Sequence, residues 1–148
     1  MEIFYVEKGW LVHETPLGEI TFPAGSGAII NANVLHSAKA YVSDAGHRKL
    51  HHLFDPILIA GAAGRRIEEN YVLPFLTANH IEIIPLMPDN PEHTEILKLI
   101  RLSFQICSDQ PGYELQIRNA LTDIWLNMLH LVDHSFAKHT IYPSHPRF

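Results

Sequence analysis

Short apolar runs separated by turn residues fill the first part of the chain. The runs are rich in β-branched and aromatic residues, and breakers such as Glu7-Lys8-Gly9 and Pro23–Gly27 divide them. Such runs at short, regular spacing are typical of a β-barrel or sandwich. The predicted strands are Glu2–Glu7, Trp10–Glu14, Glu19–Phe22, Ala28–Ile30, Val34–Val42 and His47–Phe54, with a last strand at Ile81–Met87.

The hydrophobic period then changes to that of helices. Gly61–Leu76 carries helical signals, and Pro74 ends or kinks that segment. After the break at Pro88–Pro91, apolar residues recur at intervals of three and four, which predicts helices over Glu92–Ser108 and Tyr113–Phe136. We therefore expect a single, mainly β domain with two long antiparallel helices at its C-terminal end. The expected parts are a barrel over about residues 1–88, a helical pair over 91–137 and a tail over 138–148.

The second long helix is apolar on more than one face, and a helix of that kind must be covered on most sides. We expect one of its stripes to form a homodimer, since large exposed apolar stripes usually mark an interface. The alternative is burial of that stripe against the preceding helix of the same chain. The stripe assigned to the dimer consists of Leu121, Ile124, Trp125, Met128 and Val132, and a second one of Leu115, Leu126 and Leu129.

Composition removes several classes of function. The 148-residue chain has a formal net charge of −5, and its basic residues form no cluster larger than Arg48-Lys49 or Arg65-Arg66. Duplex DNA binding needs clustered basic residues, so we expect no nucleic-acid binding through this chain. Neither a membrane span nor a signal peptide is expected, and the one cysteine, Cys107, fits a cytoplasmic setting as a buried, inert thiol.

The eleven histidines make metal binding a question to test. Glu2 with Gly9, and Gly25 with His36, keep the spacing of two metal-binding motifs in cupins, but the two histidines of the first motif would precede Met1. Two ligands do not make a good transition-metal site, so we expect no metal, no cofactor and no catalytic residues. The alternative is a metal-dependent cupin enzyme, an isomerase or dioxygenase, whose histidine pair comes from upstream sequence.

The order of several segments resembles the N-terminal cupin domain of AraC-type transcriptional regulators. The segments are Glu2–Val6 before Gly9, Phe22–Ser37, Leu53–Pro56 followed by Tyr71–Pro74, and the final helix from Tyr113. The resemblance implies a cupin, or jelly-roll, barrel that senses a small-molecule effector, and helices that hold a dimer together. It also implies barrel strands ahead of Glu2, and a DNA-binding domain after Phe148 through which the parent protein contacts DNA.

Alternation along the first strand places Glu2, Phe4 and Val6 on one face. If Glu2 faces into the barrel, as in cupins, Phe4 does so too. One carboxylate with aromatic rings suits a sugar or another polar small molecule. The predicted ligand-binding residues are Glu2, Phe4, Trp10, His36 and His52.

Overall fold

The computed structural model describes residues 1–15, 18–31, 37–78 and 81–139, and their side chains as far as residue 132. The strands are β1 Glu2–Lys8, β2 Trp10–Thr15, β3 Gly18–Phe22, β4 Gly27–Ile30, β5 Ser37–Tyr41, β6 Arg48–Leu53 and β7 Ile83–Leu86. The helices are α1 Ile57–Ala60, α2 Leu73–Leu76, α3 Thr94–Ser103 and α4 Tyr113–His139, with a π-helical turn at Glu68–Val72 and a 3₁₀ turn at Pro91–His93.

The strands form two antiparallel sheets. Sheet A has the order β6-β1-β4-β7, and sheet B has the order β3-β2-β5. The turn between β1 and β2 depends on Gly9, whose φ of 74° is one that L side chains rarely adopt. A Cβ atom at Gly9 would also collide with the carbonyl oxygen of Tyr41. The turn that connects β1 of sheet A to β2 of sheet B therefore requires glycine at position 9.

A buried apolar cluster joins the facing surfaces of the two sheets. It contains Phe4, Val6, Leu11, Phe22, Ala28 and Ile30, with Ile20, Ile83 and Met87 packed against it. We call the surface of sheet A that carries Phe4 and Val6 its inner face. Because side chains alternate along a strand and cross-strand partners share a face, Glu2, Lys49 and His51 belong to the inner face as well.

The chain divides into two compact units. The first consists of Met1–Phe54 and Ile81–Leu97, and the second of Asp55–His80 and Lys98–Phe148. Within the second unit, α1 packs against α4. The indole Nε1 of Trp125 on α4 donates a 2.8 Å hydrogen bond to the carbonyl oxygen of Tyr71, and its ring lies edge-on to Phe75 at 5.4 Å.

Antiparallel sheets followed by helices were expected, but two details of the fold differ. Helices and strands take comparable shares, so the fold is mixed rather than mainly β. The described strands form two separate sheets and no closed barrel.

Two long helices were expected at the C-terminal end, but the structure has a short helix, α3, followed by a long one, α4. Helix α3 ends at Ser103, and the amides of Phe104 and Gln105 bond to carbonyls three residues back, which tightens the last turn. Cys107 therefore lies beyond the helix and is exposed, contrary to the expectation of a buried thiol. In the segment Gly61–Leu76 the helical run begins only after Gly64, since Gly61 and Gly64 both have positive φ, and the part Glu68–Val72 is π-helical.

Candidate functional site

Three polar side chains meet on the inner face where β1 pairs with β6. The antiparallel register places Phe4 opposite His51, Val6 opposite Lys49 and Glu2 opposite Leu53. The Oε2 atom of Glu2 lies 2.9 Å from Nδ1 of His51 and 3.3 Å from Nζ of Lys49. Both contacts join residues nearly fifty positions apart in sequence, so the pairing of the two strands assembles the group.

An aromatic layer lies directly beneath this polar group. The Phe4 ring stacks on the His13 imidazole with centroids 5.3 Å apart, and Phe22 meets the Phe4 ring edge-on at 5.1 Å. The ammonium of Lys49 lies 4.7 Å from the centroid of the Phe4 ring, within the range of a cation–π interaction. Phe4 and His13 are both fully buried, so they support the polar group from below and have no solvent-exposed surface.

Glu2 remains ionised despite its burial. Burial by itself raises the pKa of a carboxyl group, because it disfavours the charged form. The hydrogen bond from His51 and the positive charge of Lys49 act in the opposite direction and are together stronger, so the pKa of Glu2 is lowered. An ionised carboxylate can only accept, so His51 donates through Nδ1.

Trp10 lies on the opposite side of sheet B from this group. Leu11 and His13 are buried between the sheets, and alternation along β2 turns Trp10 away from them. Its ring stacks in parallel on Tyr41 at 5.3 Å, and 38% of Trp10 is exposed. Trp10 was expected beside Glu2, and the outward direction follows from where β2 restarts after Gly9.

His52 is on the other face of sheet A from His51, because adjacent strand residues point to opposite sides. Burial, followed by the charge of its neighbour His51, lowers the pKa of His52. The fifth predicted ligand-binding residue, His36, lies outside the described residues. Of the predicted set, the structure therefore brings Glu2 and Phe4 together, and it separates them from Trp10 and His52.

Sequence reasoning missed Lys49, His51 and His13. The cross-strand register was the missing signal: once β1 and β6 are paired with Phe4 opposite His51, residues Lys49 and His51 share the face of Glu2. Within the described residues, no group of three or more His, Cys, Asp or Glu side chains is arranged to hold a metal ion.

The stripe of α4 assigned to the dimer is buried within a single chain. Leu121, Ile124, Trp125 and Met128 are each at most 3% exposed, and Val132 is partly buried. The second stripe is more open to solvent: Leu115 is 63% and Leu126 52% exposed, while Leu129 is partly buried. The homodimer itself stays a prediction.

Models of known protein families, curated protein sequences and solved structures were all compared with the chain, and none of them matches it. No described helix combines the length and the apolar character that crossing a bilayer requires.

Proposed function

We propose that this chain is the effector-sensing and dimerisation part of an AraC-type transcriptional regulator, and that a small molecule binds on the inner face of sheet A. The observation that carries the proposal is the group formed by Glu2, Lys49 and His51. Charged side chains rarely occupy the facing surfaces of packed sheets, because burying a charge is costly unless it is paired. Where they do so beside partly exposed groups, a binding site is the first hypothesis.

Accessibility supports this site. The side chain of His51 is 50% exposed and that of Lys49 is 24% exposed, whereas that of Glu2 is only 10% exposed. On sheet B, Ala38 and Ala40 pair with His13 and Leu11 and are also exposed. A small molecule can therefore reach the two basic groups without displacing the apolar cluster.

The strand pairing supports the cupin part of the proposal. Strand β1 pairs with β4 and β6, while β2 pairs with β3 and β5. Along the sequence, the β2–β5 pair is therefore nested within the β1–β6 pair. Nested pairing of this kind belongs to the jelly roll, which has eight strands in two sheets. In that arrangement two further strands lie beside β5 and β6, and they would enclose the inner face.

Ligand-induced stabilisation tests the sensing proposal. Thermal melting is measured with a panel of sugars and small polar metabolites, for the wild-type chain and for Glu2→Gln. A ligand at one hundred times its Kd adds about 2.7 kcal/mol to stability, and for a chain of this size that raises the Tm by roughly 5 °C or more. We expect such a shift in the wild type and its loss in Glu2→Gln.

The matched control is Glu7→Gln. Glu7 lies on the same strand, but it is exposed and pairs with Arg48. This variant should keep the full ligand response. A panel without any stabilising compound, or a response that Glu2→Gln retains, would contradict the proposal.

The alternative of a metal-dependent cupin enzyme needs a third and a fourth ligand, which the described residues do not bring to Glu2. Elemental analysis of the purified chain distinguishes the two functions. One tightly bound transition metal per chain would favour the enzyme.

A further inference from the structure

We infer that the inner-face site takes a small organic acid and that Lys49 and His51 bind its carboxylate. This inference rests on the proposed function, because it names the ligand class of the same site. The sequence led us to expect a sugar or another polar small molecule, and the charges around Glu2 narrow that expectation to an acid.

The two basic groups both have polar atoms that their contact with Glu2 leaves available to a ligand. An ammonium has three N–H donors, and within the described residues Lys49 directs one of them to Glu2, while its charge lies over the Phe4 ring. His51 uses Nδ1 for Glu2, and its Nε2 has no hydrogen-bond partner within the described part of the chain. Lys49 and His51 are two residues apart on β6, so both point to the same side.

The ammonium of Lys49 can serve two carboxylates at once. Its charge balances that of Glu2, and one contact with Oε2 of Glu2 leaves two of its three N–H groups for a ligand. A ligand with a single carboxylate places only one further negative charge beside Lys49 and His51.

A cationic ligand fits poorly at the same place. The carboxylate of Glu2 is the acidic group that the described strands place on the inner face, and its Oε2 already accepts from both basic side chains. An incoming amine would bring a second positive charge next to the Lys49 ammonium, which is held over Phe4. Glu2 therefore positions the donors rather than receiving a cation itself.

The test uses pairs of compounds that differ in one group, a carboxylate in place of a CH₂OH. The pairs are glucuronate and glucose, lactate and propane-1,2-diol, and benzoate and benzyl alcohol. Each compound is titrated into the ¹³C,¹⁵N-labelled chain, and Kd is taken from the shifts of the His51 ring signals. We expect at least one acid to bind ten-fold or more tightly than its alcohol, because hydrogen bonds between charged groups are the strong ones.

Variants identify the groups that bind the carboxylate. Lys49→Gln and His51→Gln should each weaken binding of that acid about ten-fold or more, with binding to His51→Gln followed by backbone amide shifts because this variant lacks the reporting ring. The matched control is Arg48→Gln, which removes a positive charge from the adjacent residue on the opposite face. It should change the Kd less than about three-fold. Should Lys49→Gln fail to fold, the half-exposed His51→Gln provides the same comparison.

Each outcome has a separate meaning. Alcohols that bind as tightly as their acids, in a manner dependent on Glu2, would overturn the acid class and leave the sensing proposal standing. If Arg48→Gln and Lys49→Gln lose the same affinity for the acid, the preference for acids comes from general surface charge, and the proposed site is wrong. If no acid binds, the inference is wrong, and the broader melting panel decides separately whether the chain senses any small molecule.

Discussion

His93 closes the turn that precedes α3 by acting as a hydrogen-bond acceptor. The backbone amide of Met87 donates to Nδ1 of His93 at 2.9 Å, so that nitrogen has no hydrogen. Burial lowers the pKa of His93, and the nearby charges of Glu92 and Asp89 only partly offset it. Protonation would remove the acceptor and leave the Met87 amide without this bond.

We predict that the turn loses stability in mild acid. Because the pKa of His93 is lower in the folded chain than in the unfolded one, its contribution is present above about pH 6.5 and is lost as the pH falls below that value. Losing the bond costs about 1 kcal/mol. Urea unfolding at pH 7.5 and 5.5 measures the loss, and His93→Asn should reduce it, since an amide oxygen accepts without titrating.

The control for this pH effect is His47. Its Nδ1 lies 3.2 Å from the carbonyl oxygen of Tyr41, so His47 is a hydrogen-bond donor where His93 is an acceptor, and the side-chain amide of asparagine can donate in its place. His47→Asn should leave the pH dependence unchanged. If the wild-type chain is equally stable at pH 7.5 and at pH 5.5, the proposed role of His93 is contradicted.

At the level of residues, sequence alternation within a strand was informative, but register between strands was not available. Glu2 and Phe4 could be placed on one face of β1 from the period of two alone. The contacts of Glu2 with His51 depend on which residues of β6 lie opposite, and antiparallel pairing has no local signal for that. Trp10 was misplaced because Gly9 restarts the alternation at the turn.

At the level of elements, the close approach of β1 and β4 depends on Gly27. A Cβ atom there would collide with the carbonyl oxygen of Phe4 and would lie 3.5 Å from Cδ2 of Leu97. Because the first contact is with backbone in the middle of sheet A, rotamer changes cannot relieve it.

We predict that Gly27→Ala destabilises the chain by about 1–3 kcal/mol, in the range of overpacked cores. Chemical denaturation followed by far-ultraviolet circular dichroism measures the change. The control is Ala40→Gly, which deletes a methyl group at an exposed strand position and should cost about 1 kcal/mol or less. A Gly27→Ala chain as stable as the wild type would mean that the two strands lie further apart than described.

Strand positions were more predictable than helix lengths. Each predicted strand that lies wholly within the described residues overlaps an observed one, because turn residues such as those at Pro23–Gly27 bound the runs sharply. Helix α3 was overestimated because its apolar period continues as far as Cys107 while the backbone leaves the helix at Ser103. Periodicity records which residues are apolar, and it does not record where the last helical hydrogen bond forms.

At the level of the whole molecule, the two apolar stripes of α4 have different roles. The stripe that contains Met128 is buried inside the chain, and the stripe that contains Leu126 is exposed. The sequence showed both stripes but not which one the chain itself covers, since that depends on tertiary packing with α1 and Phe75.

We predict that Leu126→Lys gives a folded monomer and that Met128→Lys unfolds the helical unit. A charge at an exposed seam prevents association, whereas a charge in the interior costs several kcal/mol and cannot be paired. Sedimentation velocity and circular dichroism of both variants measure the two effects. A dimeric Leu126→Lys chain, or a folded monomeric Met128→Lys chain, would indicate that the stripe containing Met128 forms the interface instead.

The position of β1 in the middle of sheet A also sets the order in which backbone amides exchange with solvent. Strand β1 has a hydrogen-bonded neighbour on both sides, while β6 pairs with β1 alone in the described order. Amides in edge strands exchange through local opening, whereas those in central strands exchange only through larger openings. In this chain by itself, we therefore expect slow exchange on the strand of Glu2 and faster exchange on that of Lys49 and His51. A bound molecule should slow deuterium uptake along β6 and leave that of β1 almost unchanged.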